Sequence, residues 1–380
     1  MCGAAVAAPF ARLSGVPVHP NVLWSTAEEA AAAPRGDVAL ALCGGCGLIW
    51  NTCFDPDVLS YDAEYENSLH FSGEFRRYTD ELVERLIESH QLTGGLVAEL
   101  GSGKGEFLAQ LCERGGCTGI GFDPSYAGEA DGRADGRLTF VRELFGPDSD
   151  LGDAKLVLTR HVVEHLEDPV GVLSMVRQAL GERDATLYVE VPAAEYLLRE
   201  DAIWDIIYPH VTCTSAAALR EILERAGFHP SRHGYAFGDQ YLWVEASTAP
   251  VQAGAAAADA PDAVSTAVTE FSDRMAVKRA LWADRLPRLL ADGPVALWGA
   301  GAKGATFLNV VPGGESVGTV VDVNPRKQGR YVPGTGQLIT APDSLVGQDL
   351  RAIVVMNPVY VDEIAVTLRD LGLDIALLTA

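Results

Sequence analysis

The sequence predicts an α/β protein built on a doubly wound, mainly parallel sheet, followed by a second, shorter unit of the same kind. Three observations predict it. Apolar strand 97–100 runs into the loop Glu99-Leu100-Gly101-Ser102-Gly103-Lys104-Gly105, a helix follows, and the next strand, 118–122, ends at Asp123. The same pattern recurs downstream, where strand 295–298 enters Gly299-Ala300-Gly301-Ala302-Lys303-Gly304 and strand 317–321 ends at Asp322. Between the two, strands and helices alternate, the rhythm of βαβ crossovers.

Bulk properties bound the reading. The chain has 380 residues, room for two or three domains, and 48% of them are apolar. No run of eighteen apolar residues predicts a membrane span. The first residues lack a basic region followed by an apolar stretch, so no secretory signal is expected. Seven cysteines in such a chain point to a reducing, cytoplasmic setting. Cys112, Cys117 and Cys213 read as buried free thiols. The net charge of −23 repels polyanions, which disfavours a nucleic-acid polymer as partner. A small nucleotide held in a local basic pocket stays compatible with it.

Residues 1–70 read as an irregular, Pro- and Cys-bearing segment. Cys43-Gly44-Gly45-Cys46-Gly47 is a CxxCG knuckle whose glycines allow two thiolates to face one metal ion. Met1-Cys2-Gly3 looks like the second half of another knuckle, whose first Cys would fall before residue 1. Cys2, Cys43 and Cys46 are therefore expected structural zinc ligands, with Cys53 or His19 as candidates for the fourth. The stretch Tyr61 to Phe71, which includes Tyr65, is denser in polar and aromatic residues than a bare linker needs.

Residues 71–246 form the main sheet unit. A helix over 75–89 presents Leu82, Val83, Leu86 and Ile87 on one face. Strand 97–100, helix 106–113 and strands 118–122, 138–141 and 155–159 follow. Helix 169–180, strand 185–191, helix 216–226 stopped by Gly227, and strand 241–245 complete the unit. Residues 247–267 are Ala-rich and Pro-punctuated and read as a linker. The last unit, 247–380, has a long helix near 268–290, then the second glycine loop. Strands near 352–356 and 374–378 flank a helix near 360–371.

Candidate chemistry sits at strand ends, where doubly wound sheets bind ligands. The first loop offers backbone N–H groups at a helix start, and its glycines allow close approach. Asp123 can accept two hydrogen bonds from ribose hydroxyls. Past strand 155–159 comes His161-Val162-Val163-Glu164-His165. The letters match an H-x-x-E-H protease pattern, but that pattern needs a helix, whereas this one follows a strand end, which argues against a catalytic metal. His165 instead reads as a proton-transfer group. Tyr208 and His210 flank Pro209 and offer proton-transfer or oxyanion-stabilising groups, alongside Tyr65. Near the C-terminus, Asp322-Val323-Asn324-Pro325-Arg326-Lys327 and Arg330-Tyr331 place positive charge beside glycine turns, suited to a phosphate or carboxylate.

The acid within E-x-G-x-G resembles the S-adenosylmethionine (SAM) loop of class I methyltransferases. With CGGCG at 43–47, HVVEHLEDP at 161–169, VEVP at 189–192, IIYPHVTCTS at 206–215, WGAGAKG at 298–304 and DVNPRKQGRYVPGTG at 322–336, nearly the whole chain resembles the three-part SAM-dependent C-methyltransferases of nucleotide-linked keto sugars. That resemblance implies a zinc-binding domain over 1–70, a class I methyltransferase domain over 71–246 and a Rossmann-like substrate domain over 247–380. It implies SAM held by Glu99, Gly101, Ser102, Gly103, Gly105, Asp123, Pro124 and His161. It implies a biosynthetic reaction in which a base removes a proton beside a ketone and the enolate takes the methyl group. His165, His210, Tyr208 and Tyr65 are the implied catalytic groups, and Asn324, Lys327, Arg330 and Tyr331 the substrate contacts. The sequence departs from the family at Pro209, where a glutamate is usual, and at Gly336-Gln337, where a histidine often stands. Alternatives are an O- or N-methyltransferase, a C-methyltransferase of a non-sugar acceptor, or a silent SAM-binding protein.

Overall fold

The computed structural model describes residues 2–4, 7–59, 65–128, 131–132, 136–250 and 261–380. Residues 61–64 of the polar-aromatic stretch and 251–260 of the expected linker lie outside these. Their strands fall into three sheets.

The central sheet has eight strands. Their order is His229–Ala236, Tyr241–Ser247, Thr186–Pro192, Leu156–Arg160, Leu96–Leu100, Thr118–Phe122, Leu138–Val141 and Asp131–Gly132. The five middle strands from 186–192 to 138–141 run parallel, and 241–247 lies antiparallel beside 186–192. The strands that bear the glycine loop and the histidine turn are neighbours, which brings both strand ends to one edge. Parallel strands covered on both faces read as continuous apolar runs. Leu156–Arg160 is buried at all five positions. Helix Gly73–His90 covers one face with Phe75, Tyr78, Leu82, Val83 and Leu86.

Residues 1–70 are not irregular, contrary to expectation. Strands Ala11–Pro17, Arg35–Leu42 and Ile49–Asn51 form an antiparallel sheet, and Thr212–Cys213, from far along the chain, adds its fourth strand. Strand 35–42 carries four consecutive buried residues and so lacks the alternation that marks a half-buried strand. Strand His229–Ala236 also escaped the sequence reading. It is polar, holds a proline, and occupies the sheet edge where a proline is tolerated.

The third sheet is wholly parallel, in the order Ile339–Thr340, Thr319–Val321, Val295–Trp298, Ala352–Val355 and Leu377–Thr379. The long helix Pro261–Asp292 buries Phe271, Met275, Trp282 and Leu286, and its core is continuous with that of the N-terminal sheet. The C-terminal unit also caps the first helix of the central unit. Glu363 accepts hydrogen bonds from Ser72 Oγ (2.5 Å), Gly73 N–H (2.8 Å) and Glu74 N–H (3.3 Å). A carboxylate at a helix N-terminus satisfies orphan donors and complements the dipole. Among the described residues no helix is long and apolar enough to cross a membrane.

Candidate active site

The first glycine loop leaves strand 96–100 through Gly101, Gly103 and Gly105, all at positive φ (72°, 54° and 74°). Gly101 must be glycine, because a Cβ there would meet Val162 Cγ2 at 2.1 Å. Asp123 stands at the end of the adjacent strand. Its Oδ2 accepts from Gly103 N–H at 2.7 Å, and its Oδ1 accepts from Ser125 N–H and Oγ at 2.7 and 2.6 Å. Pro124 follows it at the surface.

Glu99 is 3% exposed, and its Oε2 has no hydrogen-bond partner. Burial lifts its carboxyl to about 7, against the pull of Arg160. Ser102 Oγ, also buried, has no partner either. Two unsatisfied polar atoms beside a glycine loop fit a ligand that carries an ammonium group and hydroxyls.

Beneath the loop lies a buried charge network. Glu190 is fully buried and receives Arg160 Nε at 3.1 Å, Tyr188 OH at 2.8 Å and Tyr78 OH. Burial alone would raise its pKa, but Arg160, His161 and Tyr78 hold it well below the carboxylate range. His161 takes a left-handed φ of 55°, and its N–H donates to Glu190 O at 2.8 Å. Its Nε2 lies 3.3 Å from Glu190 Oε1 and its Nδ1 lies 3.6 Å from Glu164 Oε1. Burial opposes a charged ring there, yet the two carboxylates outweigh it and lift its pKa to about 9. His161 is therefore an imidazolium at neutral pH, held by side-chain ion pairs.

Val163–His165 form a single 3-10 turn, so His161 and His165 do not share a helix face. His165 meets His210 instead, with ring centroids 5.0 Å apart at 70°. His165 Nδ1 lies 2.8 Å from Pro209 O. A carbonyl only accepts, so Nδ1 carries a proton and donates it to Pro209 O. Burial, and then His165, push the His210 pKa down to about 3, so its ring is neutral. Backbone bonds fix this pair. Val211 N–H donates to Glu164 O, and Asn51 N–H of the N-terminal sheet donates to Val211 O, both at 2.8 Å. Tyr65 faces the same region. Its hydroxyl accepts from Asn21 Nδ2 at 3.3 Å, and burial, with Glu164 and Asp123 nearby, raises its pKa to about 12.

Other expected residues are placed differently. Tyr208 does not join His165 and His210. It packs on Phe54 in the core shared with the N-terminal sheet, and its hydroxyl accepts from Asp55 N–H at 3.1 Å. Tyr208 and His210 thus lie on opposite sides of Pro209 in the chain and in different surroundings. The basic loop 322–336 docks on the N-terminal segment. Asn324 Nδ2 donates to Glu66 Oε1 and Ser68 O (3.1 and 3.2 Å), and Lys327 Nζ lies 3.6 Å from Asp322. Arg330 donates to Ser25 Oγ at 2.6 Å, and Tyr331 bridges to Trp24. The sequence reading missed Glu164, Glu190, Arg160 and Tyr78. The first three stand in the motifs at 161–169 and 189–192 or next to them, and an acid within an apolar strand end was the available signal.

Cys2, Cys43 and Cys46 converge, with Sγ atoms within 4.8 Å of one another and 3.2 Å between Cys2 and Cys43. Neither Cys53 nor His19 is in that group. Burial opposes ionisation of Cys43, but backbone N–H groups of Cys46 and Gly45 bring its pKa to about 7. Cys46, buried beside it, is pushed up to about 12. A tetrahedral zinc site takes four such donors, and three converge here.

Residues 71–231 match the family described as a methyltransferase domain, and residues 255–372 match the one described as a C-methyltransferase C-terminal domain. No curated protein matches the chain. Among solved structures, magnesium protoporphyrin IX methyltransferase of Synechocystis PCC 6803, with SAH bound, is 20% identical. The match covers 46% of this chain and 84% of that one, with a TM-score of 0.38. The 1,6-didemethyltoxoflavin-N1-methyltransferase of Burkholderia thailandensis is 19% identical over 53% of this chain and 95% of its own, with a TM-score of 0.36.

Proposed function

Starting from a SAM-dependent methyltransferase whose residues 255–372 match a C-methyltransferase C-terminal domain, we propose that it methylates a carbon next to a ketone on a nucleotide-linked sugar. Glu99 and residues 101–105 hold the methionine end of SAM, and Asp123 the ribose hydroxyls. The observation that carries this reading is the buried, unpartnered Glu99 oxygen two residues before the first of three positive-φ glycines. SAM supplies an electrophilic methyl group.

His161 differs from the expected cofactor residue in one respect. Its charge is spent on Glu190 and Glu164, so it fixes the turn that carries His165. His165 serves the acceptor through Nε2, in proton transfer or in holding the enolate oxygen. His210, neutral, and Tyr65 complete the acceptor pocket. Arg330 and Tyr331 line the approach from the C-terminal unit, whereas Asn324 and Lys327, buried against Glu66, Ser68 and Asp322, hold that loop in place. The thiolates of Cys2, Cys43 and Cys46 hold a zinc ion that staples a small sheet with a limited core of its own. The reading places the enzyme in the cytoplasm, in a biosynthetic sequence. Incubation with methyl-labelled SAM and a panel of nucleotide-linked keto sugars tests it. Label on a carbon next to the ketone is the expected result. Label on oxygen or nitrogen, or none on any acceptor, overturns it.

A further inference from the structure

Three potential metal ligands converge where the proposed methyl acceptor must enter. One ligand atom each of Glu164, His165 and His210 lies within 4.8 Å of the others. The carboxylate is 2% exposed, and its Oε2 is buried with no hydrogen-bond partner. A buried carboxylate oxygen left without a donor calls for a partner. His165 is oriented as a metal-binding imidazole usually is. One ring nitrogen donates to a backbone carbonyl, Pro209 O, at 2.8 Å, the outer-shell contact that such a ligand usually makes. His161 contacts the opposite oxygen of Glu164 and orients it, as an outer-shell partner would.

We propose that Glu164, His165 and His210 bind one divalent transition-metal ion. Two imidazoles and one carboxylate suit the borderline ions, Zn²⁺, Fe²⁺ or Co²⁺, more than Mg²⁺ or Ca²⁺. Three protein ligands leave coordination positions open. Resting on the C-methylation reading, one such position would take the acceptor's carbonyl oxygen and hold it as the enolate, the second of the two roles that reading gives His165. The site is separate from the thiolates of Cys2, Cys43 and Cys46 and differs from them in donor chemistry.

The test counts metal by mass spectrometry in the full-length chain, loaded with Zn²⁺ or Co²⁺ and desalted. Relative to wild type, His210→Gln is expected to lose about one equivalent, and Cys43→Ser is expected to keep that equivalent. In Co²⁺-loaded Cys43→Ser, d–d absorption without thiolate charge transfer is expected. Glu164→Gln carries the same comparison if His210→Gln loses its near-ultraviolet circular dichroism. Equal metal content in wild type and either folded variant overturns the inference. So does full C-methylation by protein stripped of that ion, which leaves the functional reading standing. Bound ion with label on no keto sugar instead overturns the functional reading and leaves the site.

Discussion

The chain carries two glycine loops on two parallel sheets, and they differ in what they leave unsatisfied. Two residues before the first glycine stands Glu99 in one loop and Leu297 in the other, both buried. Glu99 keeps an oxygen without a partner, whereas Leu297 joins the apolar core. The acids after the second strands diverge too. Asp322 accepts Ala300 N–H and Asn324 N–H at 2.9 Å each and also faces Lys327, so its charge is met from within. Asp123 faces no cation that the structure records in contact with it, and it remains half-buried. The second loop's lysine, Lys303, points back to Asp205 and Gln240 of the central unit, at 2.8 and 3.0 Å. One loop leaves buried polar atoms of Glu99 and Ser102 without partners. The other uses the same architecture to dock two units together, which shows that a glycine pattern alone does not identify a ligand site.

The largest expected effect lies at the histidine turn, which has no counterpart in the second unit, where the equivalent strand ends in Met356-Asn357. His165→Ala should lower kcat by about 10²–10⁴ while SAM binding persists. A variant that keeps half the wild-type kcat would remove His165 from the chemistry. Next comes the exchange of loop character. Glu99→Leu should weaken SAM about 100-fold by calorimetry, because a charged acceptor is lost. Unchanged affinity would erase the distinction between the loops. The paired acids sharpen it further. Asp123→Ala should weaken SAM roughly 10- to 100-fold. Asp322→Ala should leave SAM affinity alone and cost about 3–5 kcal/mol of stability in denaturant titration, since it strands the buried Lys327.

The smallest effect is a pH dependence. The Glu99 carboxyl lies near 7 in the SAM-free protein, raised from 4.5 by burial, with Arg160 lowering it and Asp123 and Glu190 raising it. The folded state thus binds this proton more tightly than the unfolded state does. Stability of the free protein falls as pH rises from about 4.5 to 7, by on the order of 3 kcal/mol. Glu99→Gln should abolish that decline, and parallel melts across the range would show it. Ionised Glu99 is the form that meets an ammonium group, so SAM affinity should rise about tenfold from pH 6 to 8. A flat affinity profile would detach Glu99 from the cofactor.

The central sheet was legible because its strands are apolar runs separated by helix-period segments, a pattern set by burial on both faces. Helix 169–180 was read to the residue because Asp168 and Pro169 mark its start and Gly181 its end. The N-terminal sheet was not legible. Its fourth strand is two residues long and comes from position 212, and no local pattern encodes a pairing at that separation. The site was legible in its glycines, acids and histidines. Which histidine pairs with which was not, because a left-handed φ at His161 turns it away from His165. The place of Tyr208 was hidden for the same kind of reason, since the direction taken at Pro209 is a tertiary fact.

That borrowed strand, Thr212–Cys213, has a consequence in time. The first three strands of the N-terminal sheet leave the ribosome early, yet the strand that completes their sheet is synthesised roughly 160 residues later. At about 5–20 residues per second, strand 49–51 waits on the order of 10–30 s with an open edge. This sheet thus closes only after six of the eight strands of the central sheet have been made. Its closure also sets Val211 against Asn51, beside His210, so the acceptor pocket matures only when the two ends of this long-range pairing meet.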